Sequence, residues 1–166
     1  MCIRDRIAIV TGASSGMGRE TAVQLADRFA GFGEIWLVAR REERLSQLEE
    51  ILPVPVRKFA IDLTDREQLA ELETALQNEQ PDVKILVNAS GYGKMGRVGS
   101  VSTEEETGMV RLNCEALCAV THMVLPYMSK NSRIIQYASS ASFLPQPGFA
   151  IYAATKSFVL SYSLAL

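Results

Sequence analysis

The sequence predicts a doubly wound α/β fold, in which a parallel sheet is covered by helices on both faces. Short β-branched runs alternate with segments whose apolar residues recur at helical intervals. Several of the strand-like runs are apolar at nearly every position, as strands buried on both faces are. Together these two observations are typical of parallel strands joined by crossover helices.

The elements follow one another along the chain. Residues 7–10 form the first β-branched run and end at a glycine-rich turn, after which residues 19–29 show helical periodicity. A helix over 63–77 opens with the cap-like pair Thr64 and Asp65. The remaining predicted elements are strands at 35–38, 54–61, 84–87 and 133–137, and helices at 42–51, within 103–128 and within 149–166. Without a repeat, a low-complexity segment or a linker, they predict a single domain over residues 1–166.

Composition and charge argue against several classes of protein. The chain has 166 residues, is 48% hydrophobic and 22% charged, and carries a formal net charge of −2. This balance argues against disorder and against a nucleic-acid partner, which would require a basic surface. No apolar run is long enough for a membrane span, and the first residues lack the apolar core of a signal peptide. We therefore expect a cytoplasmic protein.

The 3 cysteines fit a reducing compartment. Cys114 and Cys118 lie one helical turn apart, and His122 extends the same face by another turn. Side chains spread along one rigid helix cannot all reach a single ion, and no second cluster would complete a tetrahedral set. We expect these residues to pack on a buried helix face, and we expect no metal site.

The turn "TGASSGMG" lies between the first strand and the first helix. Gly12, Gly16 and Gly18 would let the backbone approach an anion at the helix N-terminus, because glycine has no Cβ to obstruct it. A purely structural turn would also collect glycines. Placement directly after the first strand favours a site for the pyrophosphate of a dinucleotide.

The end of the second strand indicates which dinucleotide binds. In NAD-binding folds of this kind an acidic residue usually contacts the ribose 2′-hydroxyl there. This chain instead has Arg40 and Arg41, whose guanidiniums suit a 2′-phosphate. The alternative is that both are solvated residues at a helix opening, although helix openings prefer acids. The sequence therefore predicts NADP(H) in preference to NAD(H). Asp62, closing the third strand, would lie near the adenine or cap a helix.

Four separated motifs occur in the order found in one family. They are "TGASSGMG" (11–18), "VNASG" (87–91), "YASSAS" (137–142) and "YAATK" (152–156). On the predicted alternation of strands and helices, they resemble the short-chain dehydrogenase/reductase family from residue 7 to residue 166. The resemblance implies a Rossmann fold and an NADP-dependent oxidoreductase that transfers a hydride to or from a small carbonyl or alcohol substrate. It also implies a homo-oligomer.

The resemblance implies catalytic roles for four residues. Tyr152 would be the acid/base and Lys156 its partner, since residues at i and i+4 share a helix face and an ammonium there stabilises a phenolate. Lys156 would also hydrogen-bond the nicotinamide ribose. Ser139 would bind the substrate oxygen, with Ser140 as the neighbouring alternative. Asn113 would hold a water that relays protons to Lys156, unless it is an exposed helix residue.

Cofactor contacts are expected from the glycine-rich turn, the ends of the next three strands and the catalytic pair. The residues are Gly12, Ser14, Ser15, Gly16, Met17, Gly18, Arg40, Arg41, Asp62, Leu63, Asn88, Ala89, Gly91, Tyr152 and Lys156. In "VNASG" the family usually has Asn-Asn-Ala-Gly, so Ala89 and Ser90 depart from the pattern beside the nicotinamide. Tyr137 and Tyr162 lack a lysine partner, and Trp36 is expected in the core.

Members of the family are longer, and this chain stops in the helix that carries Tyr152 and Lys156. We expect a fragment that lacks the last two strands and is a poor enzyme by itself, and residues 1–6 ("MCIRDR") resemble a non-native leader. Two other interpretations stay open, a non-catalytic NADP-binding sensor or scaffold and an inactive fragment. A sugar-nucleotide epimerase of the extended family is disfavoured by the Gly-x3-Gly-x-Gly spacing.

Overall fold

The computed structural model describes residues 6–29 and 31–166. Within these ranges parallel strands form a 5-stranded sheet in the order β3-β2-β1-β4-β5. The strands are β1 (Arg6–Thr11), β2 (Glu34–Val38), β3 (Val56–Phe59), β4 (Asp82–Asn88) and β5 (Arg133–Gln136). The chain crosses the sheet after β3, so the carboxyl ends of β1 and β4 flank the crevice where such sheets bind ligands. The prediction of a doubly wound parallel sheet is confirmed.

Helices connect and cover the strands. In the described part of the chain the α-helices are α1 (Gly16–Arg28), α2 (Glu42–Glu49), α3 (Arg66–Glu79), α4 (Thr103–Val110), α5 (Leu117–Val124) and α6 (Ala150–Ala165). A π-helical segment, Arg111–Ala116, joins α4 to α5, so the long helix predicted within 103–128 is interrupted by a locally wider turn. Among the described residues, no helix combines the length and apolarity that a membrane crossing requires.

Two apolar layers hold the helices against the two faces of the sheet. On one face, Ile9 of β1 and Trp36 of β2 belong to the same cluster as Leu72 of α3 and Val120 of α5. Alternate residues of the same strands, Ala8, Val10 and Leu37, face the other way and pack with Leu25 of α1 and Leu45 of α2. Both faces of β1 and β2 are therefore buried, which explains their continuous apolar sequences. Trp36 lies in the core, as predicted.

Some elements differ in extent from those that periodicity predicted. The third strand is Val56–Phe59 rather than 54–61, and its later start fits Pro53 and Pro55, which lack the N–H groups that a strand ladder uses. Asp62 therefore does not close a strand; it lies in the following turn, where Oδ1 accepts a hydrogen bond from Thr64 N at 2.9 Å. Asp65, rather than Thr64, caps α3 through two backbone N–H groups of its first turn.

The start of α1 also differs, because the helix begins at Gly16 rather than at residue 19. The last two glycines of the glycine-rich turn consequently belong to the first turn of the helix. Of the suspected leader, residues 1–5 lie outside the described part of the chain, and so does Cys2. Arg6 is described, and it opens β1 in register with Asp82 of β4.

Candidate active site at the carboxyl edge of the sheet

A cleft of about 320 Å³ opens at the carboxyl edge of the sheet. It is lined by the glycine-rich turn after β1, by the residues that follow β2 and β3, and by the loop after β4. Among the residues predicted to contact a cofactor, Asn88, Tyr152 and Lys156 do not line it, and the others do. The fold thus brings together most of a candidate site that is scattered along the sequence.

Two glycines of the turn are required by the geometry. Gly12 has a φ of +67°, and a Cβ there would lie 2.7 Å from the Ala89 carbonyl oxygen. A Cβ on Gly18 would clash with the Gly12 carbonyl and lie 3.0 Å from the Thr11 carbonyl oxygen. Gly16 has a φ of +56° and open space around it. The turn therefore packs backbone on backbone while leaving room for a ligand at the helix N-terminus.

Thr11 and Asn88 support the loop after β4. The buried Thr11 Oγ1 accepts hydrogen bonds from Ala89 N at 3.1 Å and from Ser90 N at 3.2 Å. Asn88 is buried and donates from Nδ2 to Thr121 Oγ1 at 2.9 Å, which ties the end of β4 to α5. Sequence reasoning missed Thr11, for which the only signal was its place at the carboxyl end of the first strand.

Arg41 reaches from the start of α2 to the glycine-rich turn. Its Nη2 donates to Ser14 Oγ at 2.9 Å and to Ser15 Oγ at 2.8 Å, and its Nε donates to Ser14 Oγ at 3.3 Å. The residue is otherwise exposed. The two hydroxyls therefore orient a guanidinium at the rim of the cleft, in a form suited to a phosphate.

Arg40 is held less firmly. Its Nη1 lies 3.6 Å from Asp62 Oδ2, and 73% of its side chain is exposed. Burial raises the pKa of Asp62, but hydrogen bonds from Thr64 together with the Arg40 charge outweigh burial and hold that pKa below its ordinary value. Asp62 is therefore ionised at neutral pH and offsets part of the Arg40 charge.

The Asn113 side chain makes three hydrogen bonds. It lies in the π-helical segment, is 1% exposed, and its Oδ1 accepts a hydrogen bond from Tyr92 N at 3.0 Å. Its Nδ2 donates to Tyr92 O at 2.9 Å and to Thr155 Oγ1 at 3.0 Å. The alternative of an exposed helix residue is therefore wrong. The amide fastens the loop after β4 to α6, and Tyr92 and Thr155 are partners that the sequence did not indicate.

Lys156 brings a buried ammonium to Tyr152. The residue is 8% exposed, and its Nζ lies 5.7 Å from the centroid of the Tyr152 ring. Nζ also donates to the Tyr137 carbonyl oxygen at 2.6 Å, a contact that sequence reasoning missed. Burial lowers the pKa of Lys156, and the nearby Cys114 opposes that shift. The two side chains predicted to share a helix face do lie together.

Ser139 and Ser140 have different surroundings. Ser139 follows β5, is half-buried, and its Oγ accepts a hydrogen bond from Ala141 N at 3.2 Å. That contact uses a lone pair and leaves the hydroxyl hydrogen free to donate to a ligand. Ser140 is exposed. The geometry therefore favours Ser139 over Ser140 as the donor to a substrate oxygen.

The helix face that carries Cys114 and Cys118 is only partly buried. Both thiols are half-buried, and His122 is exposed, so His122 does not pack on a buried face as predicted. Burial raises the pKa of both thiols. Within residues 6–29 and 31–166, no group of three or more His, Cys, Asp or Glu side chains could hold a metal ion.

The family model described as short chain dehydrogenase matches residues 6–166. The chain belongs to the short-chain dehydrogenase family. An uncharacterized oxidoreductase of Staphylococcus epidermidis is 30% identical over 166 residues, covering 99% of this chain and 71% of that protein. A very-long-chain 3-oxoacyl-CoA reductase of Laccaria bicolor is 36% identical, over 96% of this chain and 48% of that protein.

A solved structure in the same family supports the fold. The short-chain dehydrogenase from Sphingobium yanoikuyae in complex with NADPH superposes with a TM-score of 0.85 and is 32% identical, covering 97% of this chain and 64% of that one. The chain therefore spans about half of the Laccaria protein and under two thirds of the Sphingobium dehydrogenase. This short-chain dehydrogenase is thus a member of an oxidoreductase family with the Rossmann fold.

The residues of this short-chain dehydrogenase fit a dinucleotide at the cleft. The glycine-rich turn leaves open space at Gly16, where backbone N–H groups of a helix N-terminus suit a pyrophosphate. Arg41 adds an oriented guanidinium at the rim. Asp62, Leu63 and Gly91 also line this cleft, and a Cβ on Gly91 would lie 3.7 Å from Lys156 Nζ.

Proposed function

We propose that this short-chain dehydrogenase interconverts a carbonyl compound and a secondary alcohol with NADP(H), using Tyr152 as acid/base. The observation that carries the proposal is the buried Lys156 ammonium, 5.7 Å from the Tyr152 ring centroid and held by the Tyr137 carbonyl at 2.6 Å. Burying a cation costs free energy unless it is well paired. A module that only bound a dinucleotide could use Lys156 to hold the nicotinamide ribose, but it would not need a phenol beside that cation.

The preference for NADP(H) over NAD(H) rests on the charge at the end of β2. Arg41 is oriented by Ser14 and Ser15, and no carboxylate stands at the end of β2, where Ala39 and Arg40 follow the strand. Arg40 would add a second positive charge, reduced by Asp62. The solved relative that carries NADPH agrees with this preference.

When bound, the reduced nicotinamide supplies the hydride that adds to the carbonyl carbon. Ser139 would donate a hydrogen bond to the substrate oxygen, and Tyr152 would give its phenolic proton to that oxygen, so that the carbonyl becomes an alcohol. Lys156 would stabilise the phenolate that remains until a proton from water restores the phenol. Oxidation of the alcohol reverses these transfers, with Tyr152 accepting the proton.

Asn113 would contribute mainly by holding the loop that faces Tyr152. Both hydrogens of its amide are used, one by Tyr92 O and one by Thr155 Oγ1. Only oxygen lone pairs are left to receive a water, on the side chain or on the main chain. The proton relay to Lys156 that the family resemblance implies would therefore use a water that donates a hydrogen bond to an oxygen of Asn113.

The test is reduction of a ketone panel by NADPH, using acetophenone, cyclohexanone and ethyl acetoacetate. The product of the complete reading frame that contains this sequence is assayed as wild type and as Tyr152→Phe, Ser139→Ala and Ser140→Ala. We expect Tyr152→Phe to lose turnover by at least about 100-fold, because it removes the acid/base. Ser139→Ala should lose turnover strongly and Ser140→Ala only weakly.

Binding separates chemistry from cofactor recognition in the same experiment. Tyr152→Phe should bind NADPH as the wild type does in a fluorescence titration. If wild-type protein bound NADPH but reduced none of the ketones and oxidised none of the corresponding alcohols, the sensor or scaffold interpretation would replace the enzyme. Equal turnover by Tyr152→Phe and wild type would remove Tyr152 from the mechanism.

A further inference from the structure

The ring of Tyr152 is stacked on a second aromatic ring. Phe149 lies one turn earlier, at the N-cap of α6, and the two ring centroids are 4.3 Å apart with an interplanar angle of 22°. A stacked aromatic pair at this distance is favourable beyond the area it buries, and its geometry depends on the ring planes, so it disfavours rotation of the tyrosine ring. Nothing in the chemistry proposed above uses Phe149.

Gly93 packs against the rings of both Phe149 and Tyr152. A Cβ built on Gly93 would lie 2.7 Å from Tyr152 Cδ2, 2.8 Å from Phe149 Cζ and 3.0 Å from Tyr152 Cε2. The bare backbone of Gly93 therefore touches the two rings together. A side chain of any size at that position would have to displace at least one of them.

The loop that carries Gly93 is fixed on both sides of the contact. On one side the Asn113 amide holds both the N–H and the carbonyl of Tyr92, at 3.0 and 2.9 Å. On the other side Gly96 N donates to the Gly148 carbonyl oxygen at 2.7 Å, directly before Phe149 in the chain. The loop and the start of α6 thus form one connected support around the Tyr152 ring.

We propose that Phe149 is a positioning residue for Tyr152, and that the backbone of Gly93 packs against both stacked rings and holds them in place. The inference rests on the proposed function. Lys156 approaches the same ring with its charge, at 5.7 Å from the centroid, but a point charge does not fix the plane of the phenol. Phe149 and Gly93 supply that constraint, so that the hydroxyl is presented to a substrate oxygen in one orientation.

The first test measures kcat and KM separately, with NADPH and the most rapidly reduced ketone of the panel. Phe149→Ala should lower kcat about 10- to 100-fold, since a misplacement of about 1 Å can cost that much. The KM for NADPH should change much less than kcat, because Phe149 is not among the predicted cofactor contacts and the cleft that would hold most of the dinucleotide is lined by other residues. Phe149→Tyr keeps an aromatic face and should restore most of kcat, whereas Phe149→Leu should not.

Phe158→Ala provides a matched control on the same helix. Phe158 stacks on Tyr162 with centroids 5.8 Å apart and an interplanar angle of 13°, so this variant also removes a stacked phenylalanine from α6. Kinetics like those of the wild type are expected for it. If Phe149→Ala and Phe158→Ala lowered kcat equally, Phe149 would be a helix-stabilising residue and the proposal would be overturned.

The second test needs neither cofactor nor turnover. In protein with isotope-labelled tyrosine rings, the Tyr152 ring resonances are identified by their loss in Tyr152→Phe. A stacked aromatic ring shifts them upfield, so Phe149→Leu should move them downfield and Phe149→Tyr should leave them in place. Gly93→Ala should also move them, by displacing the pair.

The outcomes separate this inference from the proposed function. Resonances unaffected by Phe149→Leu, or kcat unaffected by Phe149→Ala, would overturn the positioning role in an enzyme that still reduces ketones. A wild-type protein without turnover would overturn the proposed function. The ring shifts would in that case still show whether Phe149 orients the Tyr152 ring.

Discussion

Replacement of Arg41 by alanine tests the cofactor preference most directly. The guanidinium donates hydrogen bonds to Ser14 Oγ and Ser15 Oγ at 2.9 and 2.8 Å, so it lies at the rim of the cleft in a defined orientation. Little side-chain entropy remains to be lost when a phosphate binds there. The variant Arg41→Ala removes this group without touching the glycine-rich backbone.

The magnitude follows from the kind of contact that is lost. A hydrogen bond to a charged group contributes about 1.5–3 kcal/mol, and the exposure of Arg41 favours the lower part of that range. Since about 1.4 kcal/mol corresponds to a tenfold change in Kd, Arg41→Ala should raise the Kd for NADPH about 10- to 30-fold. The Kd for NADH should hardly change, because NADH has no 2′-phosphate.

The assay is fluorescence titration of the reduced cofactors into purified wild type, Arg41→Ala and Arg28→Ala. Arg28 lies at the far end of α1 and serves as a control for the loss of one positive charge. Ser14→Ala, which removes one of the orienting hydroxyls, should give a smaller loss than Arg41→Ala. Equal affinity of the wild type for NADH and NADPH, or an equal loss of both in Arg41→Ala, would refute the reasoning.

Two further predictions concern the turn and the thiols. Gly12→Ala places a Cβ 2.7 Å from the Ala89 carbonyl oxygen at a φ of +67°, so we expect it to lower the free energy of unfolding by about 1–3 kcal/mol or more, measured by urea denaturation. Gly16→Ala, with positive φ but open space, should cost less, and an equal cost would contradict the steric argument. Burial raises the pKa of Cys114 and Cys118, so both should react with iodoacetamide more slowly than free cysteine near about pH 7.5 and faster as pH rises. Mass spectrometry of each thiol checks this, and faster reaction than free cysteine would contradict it.

The sequence predicted the sheet because both faces of its central strands are buried. Continuous apolar runs such as "IAIV" and "IWLV" leave no alternative to strands covered on two sides, and both became inner strands. The late start of β3 could have been anticipated from Pro53 and Pro55, which precede it. The π-helical segment could not, because apolar periodicity does not distinguish it from an α-helix, and the contacts of its Asn113 with Tyr92 and Thr155 join segments that are remote in sequence.

Within the site, the sequence indicated residue types but few of their partners. The glycine spacing, the paired arginines and the Tyr-x3-Lys pair can each be recognised from residues that are close together in the sequence. Contacts between distant segments carry none, and these include the bonds from Ala89 and Ser90 to Thr11 and from Lys156 to the Tyr137 carbonyl. The same reason explains why Phe149 was missed: stacking on Tyr152 depends on the turn that precedes α6.

The buried position of Lys156 opposes the stability of the fold, and the proposed function gives a reason for it. Because burial makes its pKa lower in the folded than in the unfolded chain, the folded chain binds fewer protons between those two pKa values. Stability therefore rises with pH through that window, and at pH values below it the folded state carries the cost of a buried charge. The hydrogen bond to the Tyr137 carbonyl offsets only part of that cost. A chain selected for stability alone would place an apolar side chain at this position, so the buried lysine agrees with the roles proposed for it beside Tyr152 and the nicotinamide ribose.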